Sequence, residues 1–77
     1  MPDYPVLSGA EILRAFERLG LTPVRWRGSH AVMRRGAAGC VVPLHAKVTR
    51  GTLGGIVRQS QVAPDDFRHD FLAAPSR

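Results

Sequence analysis

Val24-Arg25-Trp26-Arg27-Gly28-Ser29-His30-Ala31-Val32-Met33-Arg34-Arg35 is the stretch in which the hydrophobic period of this chain becomes twofold. Val24 and Trp26 alternate with Arg25 and Arg27, the pattern of a short half-buried strand. On that pattern, core packing is the expected role of Trp26, ahead of a stacking platform for RNA bases. Gly28-Ser29 supplies a turn, and His30 to Arg35 reads as a second strand. Gly36-Ala37-Ala38-Gly39 suits a hairpin loop, followed by a third strand from Cys40 to Leu44. Pro43 has no amide to donate, which places that part of the strand at a sheet edge.

The segment before these strands is helical. Ser8-Gly9-Ala10-Glu11 is a capping box, and Leu7 and Ile12 are spaced as a hydrophobic staple around it. Ile12, Leu13, Phe16 and Leu19 recur on one face, with Arg14, Glu17 and Arg18 turned outward. Gly20 is a left-handed stop, so the expected helix spans 9–19 with Leu21 folding back onto Phe16. Beyond the strands, Ala46 to Arg50 connects to a second helical pattern carrying Leu53, Ile56 and Val57 on one side. Gly54 and Gly55 each cost about 1 kcal/mol there relative to alanine, which makes it the weakest element unless another segment packs closely on them. Pro64 opens a short last helix with Asp65 and Asp66 at its positive end and Phe67 and Phe71 facing inward. Residues 73–77 read as a frayed tail.

The expected fold is therefore α+β: helix, three antiparallel strands, helix, then a short C-terminal helix. Short hairpin connections make the sheet antiparallel, with the helices on one face and the other face partly open. Seventy-seven residues allow one domain, expected over 1–72, that buries only about 60–65% of its extended surface. Any catalytic site on so small a scaffold is shallow and suits a large ligand.

Charge narrows the class of ligand. Eleven Lys and Arg face six Asp and Glu, a net charge of +5, and all the cations but Lys47 are arginine. Arginine presents a planar, permanently charged fork that fits phosphate oxygens, so the balance points to nucleic acid or an acidic protein. An ordinary solvated surface in an arginine-rich proteome has the same composition. Cys40 is the sole cysteine, which excludes an intrachain disulfide and a thiolate cluster. Three histidines and scattered carboxylates show no metal-ligand spacing, and no cofactor is implied. No apolar run approaches membrane-spanning length, and Met1-Pro2-Asp3-Tyr4-Pro5 is unlike a signal peptide, so a cytoplasmic location is expected.

The chemistry concentrates in Arg25-Trp26-Arg27-Gly28-Ser29-His30. RNA cleavage needs a base for the 2′-hydroxyl proton, positive charge around the phosphate and an acid for the leaving oxygen. Histidine suits the first task, since an imidazole ordinarily titrates near pH 6.5 and is largely neutral in the cytoplasm. Arg25, Arg27, Arg34 and Arg35 are placed to contact phosphates, Gly28 to admit a phosphate to the backbone, and Ser29 to donate a hydrogen bond. Lys47 and Arg50 are further candidates, although both also read as solvated charge before a helix. A histidine at a turn is more often an ordinary surface residue, and His45 after Pro43-Leu44 has the same standing. His69, between Arg68 and Asp70, reads as solvated. Thr52 and Ser60 lack a base or carboxylate partner and are not nucleophiles.

Four segments in order resemble a known family, the HicA-like toxins, also described as YcfA-like addiction-module proteins. They are Pro5-Val6-Leu7-Ser8-Gly9, Arg27-Gly28-Ser29-His30, Val42-Pro43-Leu44-His45 and Arg50-Gly51-Thr52-Leu53, and the likeness extends through Phe67. The resemblance implies a fold like the double-stranded-RNA-binding domain and a metal-independent mRNA interferase of a bacterial type II toxin–antitoxin system. It implies that His30, in the Gly-Ser-His motif, is the essential histidine. It also implies a HicB-like antitoxin as partner, which covers the histidine-bearing surface and carries any contact with operator DNA. A non-catalytic module of the same fold, binding double-stranded RNA or a protein, is the alternative. In the enzymatic reading His30 is the general base, while the acid is left open among His45, an arginine and water.

Overall fold

A computed structural model describes residues 4–73 of the chain. The elements are α1 (Gly9–Arg18), β1 (Thr22–Arg27), β2 (His30–Arg35), β3 (Ala38–Pro43), α2 (Arg50–Ser60) and α3 (Pro64–Ala73). This is the α-β-β-β-α arrangement of the double-stranded-RNA-binding-domain class with a third helix added. The sheet is antiparallel in the order β1-β2-β3, so β1 and β3 are its edges. The frayed tail was expected from residue 73, but Ala73 closes α3. Residues 74–77 and the opening residues 1–3 lie outside the described residues.

Local chemistry accounts for the first helix. The Ser8 hydroxyl accepts from the Glu11 amide at 3.1 Å, and the Glu11 carboxylate accepts from the Ser8 amide at 2.8 Å, which completes the capping box. At the other end the Gly20 amide donates to the Glu17 carbonyl and the Leu21 amide to the Phe16 carbonyl, a Schellman closure. Leu7 and Ile12 at the start of the helix and Leu21 beyond its end are all buried.

The inner face of the sheet carries Ala31 and Met33 from β2 with Cys40 and Val42 from β3, all buried. They meet Ile12, Ala15 and Phe16 of α1, Leu53, Ile56 and Val57 of α2, and Phe67 of α3. Burial pushes the Cys40 thiol up to about 11, so it stays protonated and serves as a small apolar side chain. Ser60 is fully buried yet satisfied: its hydroxyl donates to the Val57 carbonyl and accepts from the Val62 amide.

Three expectations need correction. Trp26 does not enter the core; it is 56% exposed, and Val24 is 55% exposed. The register steps from Pro23 opposite Met33 to Arg25 opposite Val32, so Val24 is an extra, bulged residue. Trp26 does lie on the inner side, opposite buried Ala31, but the helices pack mainly over β3 and leave it uncovered. Second, the hairpin loop between β2 and β3 is two residues, Gly36-Ala37, and Ala38 and Gly39 belong to β3. Third, α3 is as long as α1, ten residues each. It is tied to α1 through Asp70, which receives both the Arg18 Nε and a terminal nitrogen, the shorter contact at 2.9 Å.

Nothing packs tightly on the two glycines of α2. A Cβ at Gly55 would meet only the Arg58 guanidinium, at 3.7 Å, and one at Gly54 would meet the Tyr4 ring at 3.8 Å. The helix is held instead by burial of Leu53, Ile56 and Val57 and by its Thr49 cap. Gly55→Ala is therefore expected to stabilise the domain by about 0.4–1 kcal/mol, by restricting the unfolded chain. A rise of a few degrees in the thermal midpoint is the signature; a fall would mean the position needs a bare backbone.

Candidate functional site

The outer face of the sheet is built by cross-strand register. Residues opposite one another project to the same side. Arg27, His30 and Pro43 form one row, and Arg25, Val32 and Val41 the next. Thr22, Arg34 and Gly39 form the third. No helix covers this face: His30, Arg25, Arg27 and Arg34 are exposed, and even Val41 is 37% exposed. Twofold alternation thus brings four of the expected residues together on one surface.

The Gly28-Ser29 turn sits at the end of this face, beside His30. Gly28 takes φ +57°, which any side chain would strain, and the space where a Cβ would lie is open. The backbone there is accessible to a ligand. Ser29 is exposed, and its carbonyl accepts from the Leu44 amide at 2.6 Å.

That bond brings in His45. The chain leaving β3 is held against the turn, and the His45 ring lies 5.9 Å from the His30 ring, centroid to centroid, edge to face at 79°. On the other side the His45 carbonyl accepts from the Gly9 amide at 2.8 Å. A Cβ at Gly9 would lie 2.6 Å from the Leu44 Cα and closer still to the Pro43 carbonyl oxygen, both backbone. Gly9 therefore lets the start of α1 dock on the segment that carries His45. Gly9→Ala is expected to cost about 1–3 kcal/mol as overpacking and to displace that segment. A urea midpoint at the wild-type value would show that the two backbones separate freely.

The remaining expected residues are placed elsewhere. Arg35 points to the inner side, opposite Ala38, and donates to the Leu19 carbonyl at 2.7 Å, tying the end of α1 to the sheet. Lys47 is exposed on the segment after His45. Arg50 lines a pocket of about 300 Å³ with Tyr4, Pro5, Phe67, Arg68, Phe71 and Leu72, none of which belongs to the sheet. The edge-to-face pairing of His30 with His45 was not foreseen. Its signal lay in hairpin counting: with a two-residue loop, the end of β3 falls opposite the start of β2.

Charge is sorted between layers. The described carboxylates are Glu11 and Glu17 on α1 and Asp65, Asp66 and Asp70 on α3. Ion pairs among the described residues join Arg18 to Asp70 and Arg68 to Asp65, within that helical layer. Arg25, Arg27 and Arg34 have no such partner there, so the outer face presents uncompensated guanidinium groups around an imidazole. No three His, Cys, Asp or Glu side chains among the described residues converge as metal ligands. No helix among them is long and apolar enough to cross a membrane.

A family model described as the HicA toxin of bacterial toxin–antitoxin systems matches residues 9–62, more than half of the chain. The matched segment contains the whole sheet, both histidines of the pair and α2, and stops before α3. No curated protein matches the chain significantly.

Proposed function

The chain belongs to the HicA toxin family of bacterial toxin–antitoxin systems, and on that premise we propose that it is a metal-independent endoribonuclease acting on mRNA through His30. The observation that carries this reading is the outer sheet face, where exposed His30 stands among Arg25, Arg27 and Arg34 and where none of the described carboxylates, all of which belong to α1 and α3, is carried by a strand. Neutral His30 takes the proton of a 2′-hydroxyl, and the resulting oxyanion attacks the adjacent phosphorus. The arginines hold the phosphate and offset the charge that develops on its oxygens. Gly28 leaves room for that phosphate beside the turn, and Ser29 donates to it. Lys47 extends the cationic path, whereas Arg35 is engaged with Leu19 and Arg50 is apart from the sheet.

The same surface suits a HicB-like antitoxin. An acidic segment of such a partner would be drawn to an uncompensated cationic face and would cover His30. Contact with operator DNA then belongs to the antitoxin, and the toxin acts in the bacterial cytoplasm.

The test is incubation of the purified chain with mRNA in excess chelator. Cleavage is expected. Intact RNA held in a salt-sensitive complex would replace the enzyme with a non-catalytic binding module. Cleavage that requires added magnesium would overturn the metal-independent mechanism.

A further inference from the structure

We propose that His45 is a second catalytic residue, the general acid that protonates the leaving oxygen while His30 acts as base. The inference rests on reading the chain as an RNA-cleaving enzyme and goes beyond it by naming the proton donor.

The backbone fixes His45 on both sides. The preceding amide, of Leu44, donates to the Ser29 carbonyl at 2.6 Å, and the His45 carbonyl accepts from Gly9 at 2.8 Å. Leu44 itself packs against the core. The imidazole stays exposed, 5.9 Å from that of His30. Two rings at this separation can address one phosphate from different sides. Such anchoring around an exposed side chain is what a positioned proton donor needs.

Chemistry selects histidine for the role. In an in-line displacement the P–O2′ bond forms as the P–O5′ bond breaks, on opposite sides of phosphorus. The entering oxygen loses a proton and the leaving oxygen must gain one, so one imidazole cannot serve both in a single step. Guanidinium and ammonium groups in general are poor proton donors at neutral pH, which sets arginine and lysine aside for this role. An imidazole ordinarily titrates near pH 6.5 and gives up its proton readily. The balance is therefore closed: the 2′-hydroxyl proton passes to His30, and His45 in its protonated form gives one to the 5′ oxygen. The products are a cyclic phosphate and a 5′-hydroxyl, and the two rings return to their starting states by exchange with water.

The test compares two oligoribonucleotides, one with an ordinary scissile linkage and one with sulfur in place of the bridging 5′ oxygen. A thiolate leaves without needing a proton. His45→Ala and His45→Gln are expected to cleave the ordinary linkage about 10²–10⁴-fold more slowly than wild type and the sulfur linkage within about tenfold of it. His30→Ala is expected to lose both. Wild-type cleavage of the ordinary linkage by the His45 variants, or equal slowing on both substrates, would overturn the acid role and leave His30 untouched. If the wild-type chain cleaves neither substrate, the enzymatic reading fails and this inference fails with it.

Discussion

His30→Ala is expected to slow RNA cleavage by about 10²–10⁴-fold, the usual value of a positioned general base, without altering stability by more than about 0.5 kcal/mol. The rate loss corresponds to about 3–5 kcal/mol of transition-state stabilisation. Stability is spared because the His30 side chain is exposed and its ring meets that of His45 edge to face at the surface. The strand pairing of residue 30 with Arg27 and Pro43 is made by backbone and survives the change. On the proposed function RNA binding should also survive, with its salt dependence, because that reading assigns it to Arg25, Arg27 and Arg34. Single-turnover rates, RNA affinity and a urea unfolding curve on the same preparation separate these effects. Unchanged cleavage would remove His30 from the mechanism; a loss of binding as large as the loss of rate would make it a binding residue instead.

Phe67→Ala is expected to cost about 3–5 kcal/mol, the range for deleting a fully buried phenyl ring. Phe67 is 0% exposed and stands between Tyr4 and Phe16, with ring centroids at 5.9 and 5.2 Å. A chain of 77 residues holds only about 4–12 kcal/mol in total at ordinary stability per residue, so this one change removes a large share. The position is informative because the family match stops at residue 62. A large loss makes α3 part of the core of this domain. The urea midpoint should fall steeply at little change in slope, and Phe67→Leu should recover much of it. A loss below about 1 kcal/mol would mark α3 as an appendage that the rest of the fold does not need.

Much of this architecture was legible because it rests on local chemistry. The capping box at Ser8-Glu11 and the stop at Gly20 bound α1 within one residue of the expected span. Gly28-Ser29 sets the first hairpin, and Arg25, Arg27, Arg34 and Arg35 were all expected around His30; the strand register keeps the first three beside it and turns Arg35 to the other face. What failed to show was set by tertiary packing. Val24 and Trp26 alternate as core residues do, but a bulge breaks the count at Val24 and the helices do not reach over Trp26. Arg35 looks like its neighbour Arg34, and only the docking of α1 turns it into a tie to Leu19. His45 follows a strand and has no periodic signal of its own. Its position depends on bonds to Ser29 through Leu44 and to Gly9, which join three separate parts of the chain.

The central claim, that His30 on the open sheet face turns the RNA's own 2′-hydroxyl into the nucleophile, is read most directly from the ends left by cleavage. Digestion of a defined RNA in chelator, followed by mass spectrometry of the fragments, should show a 2′,3′-cyclic phosphate on one product and a 5′-hydroxyl on the other. Fragments ending instead in a 3′-hydroxyl and a 5′-phosphate would mean that water attacked the phosphorus, and would contradict it.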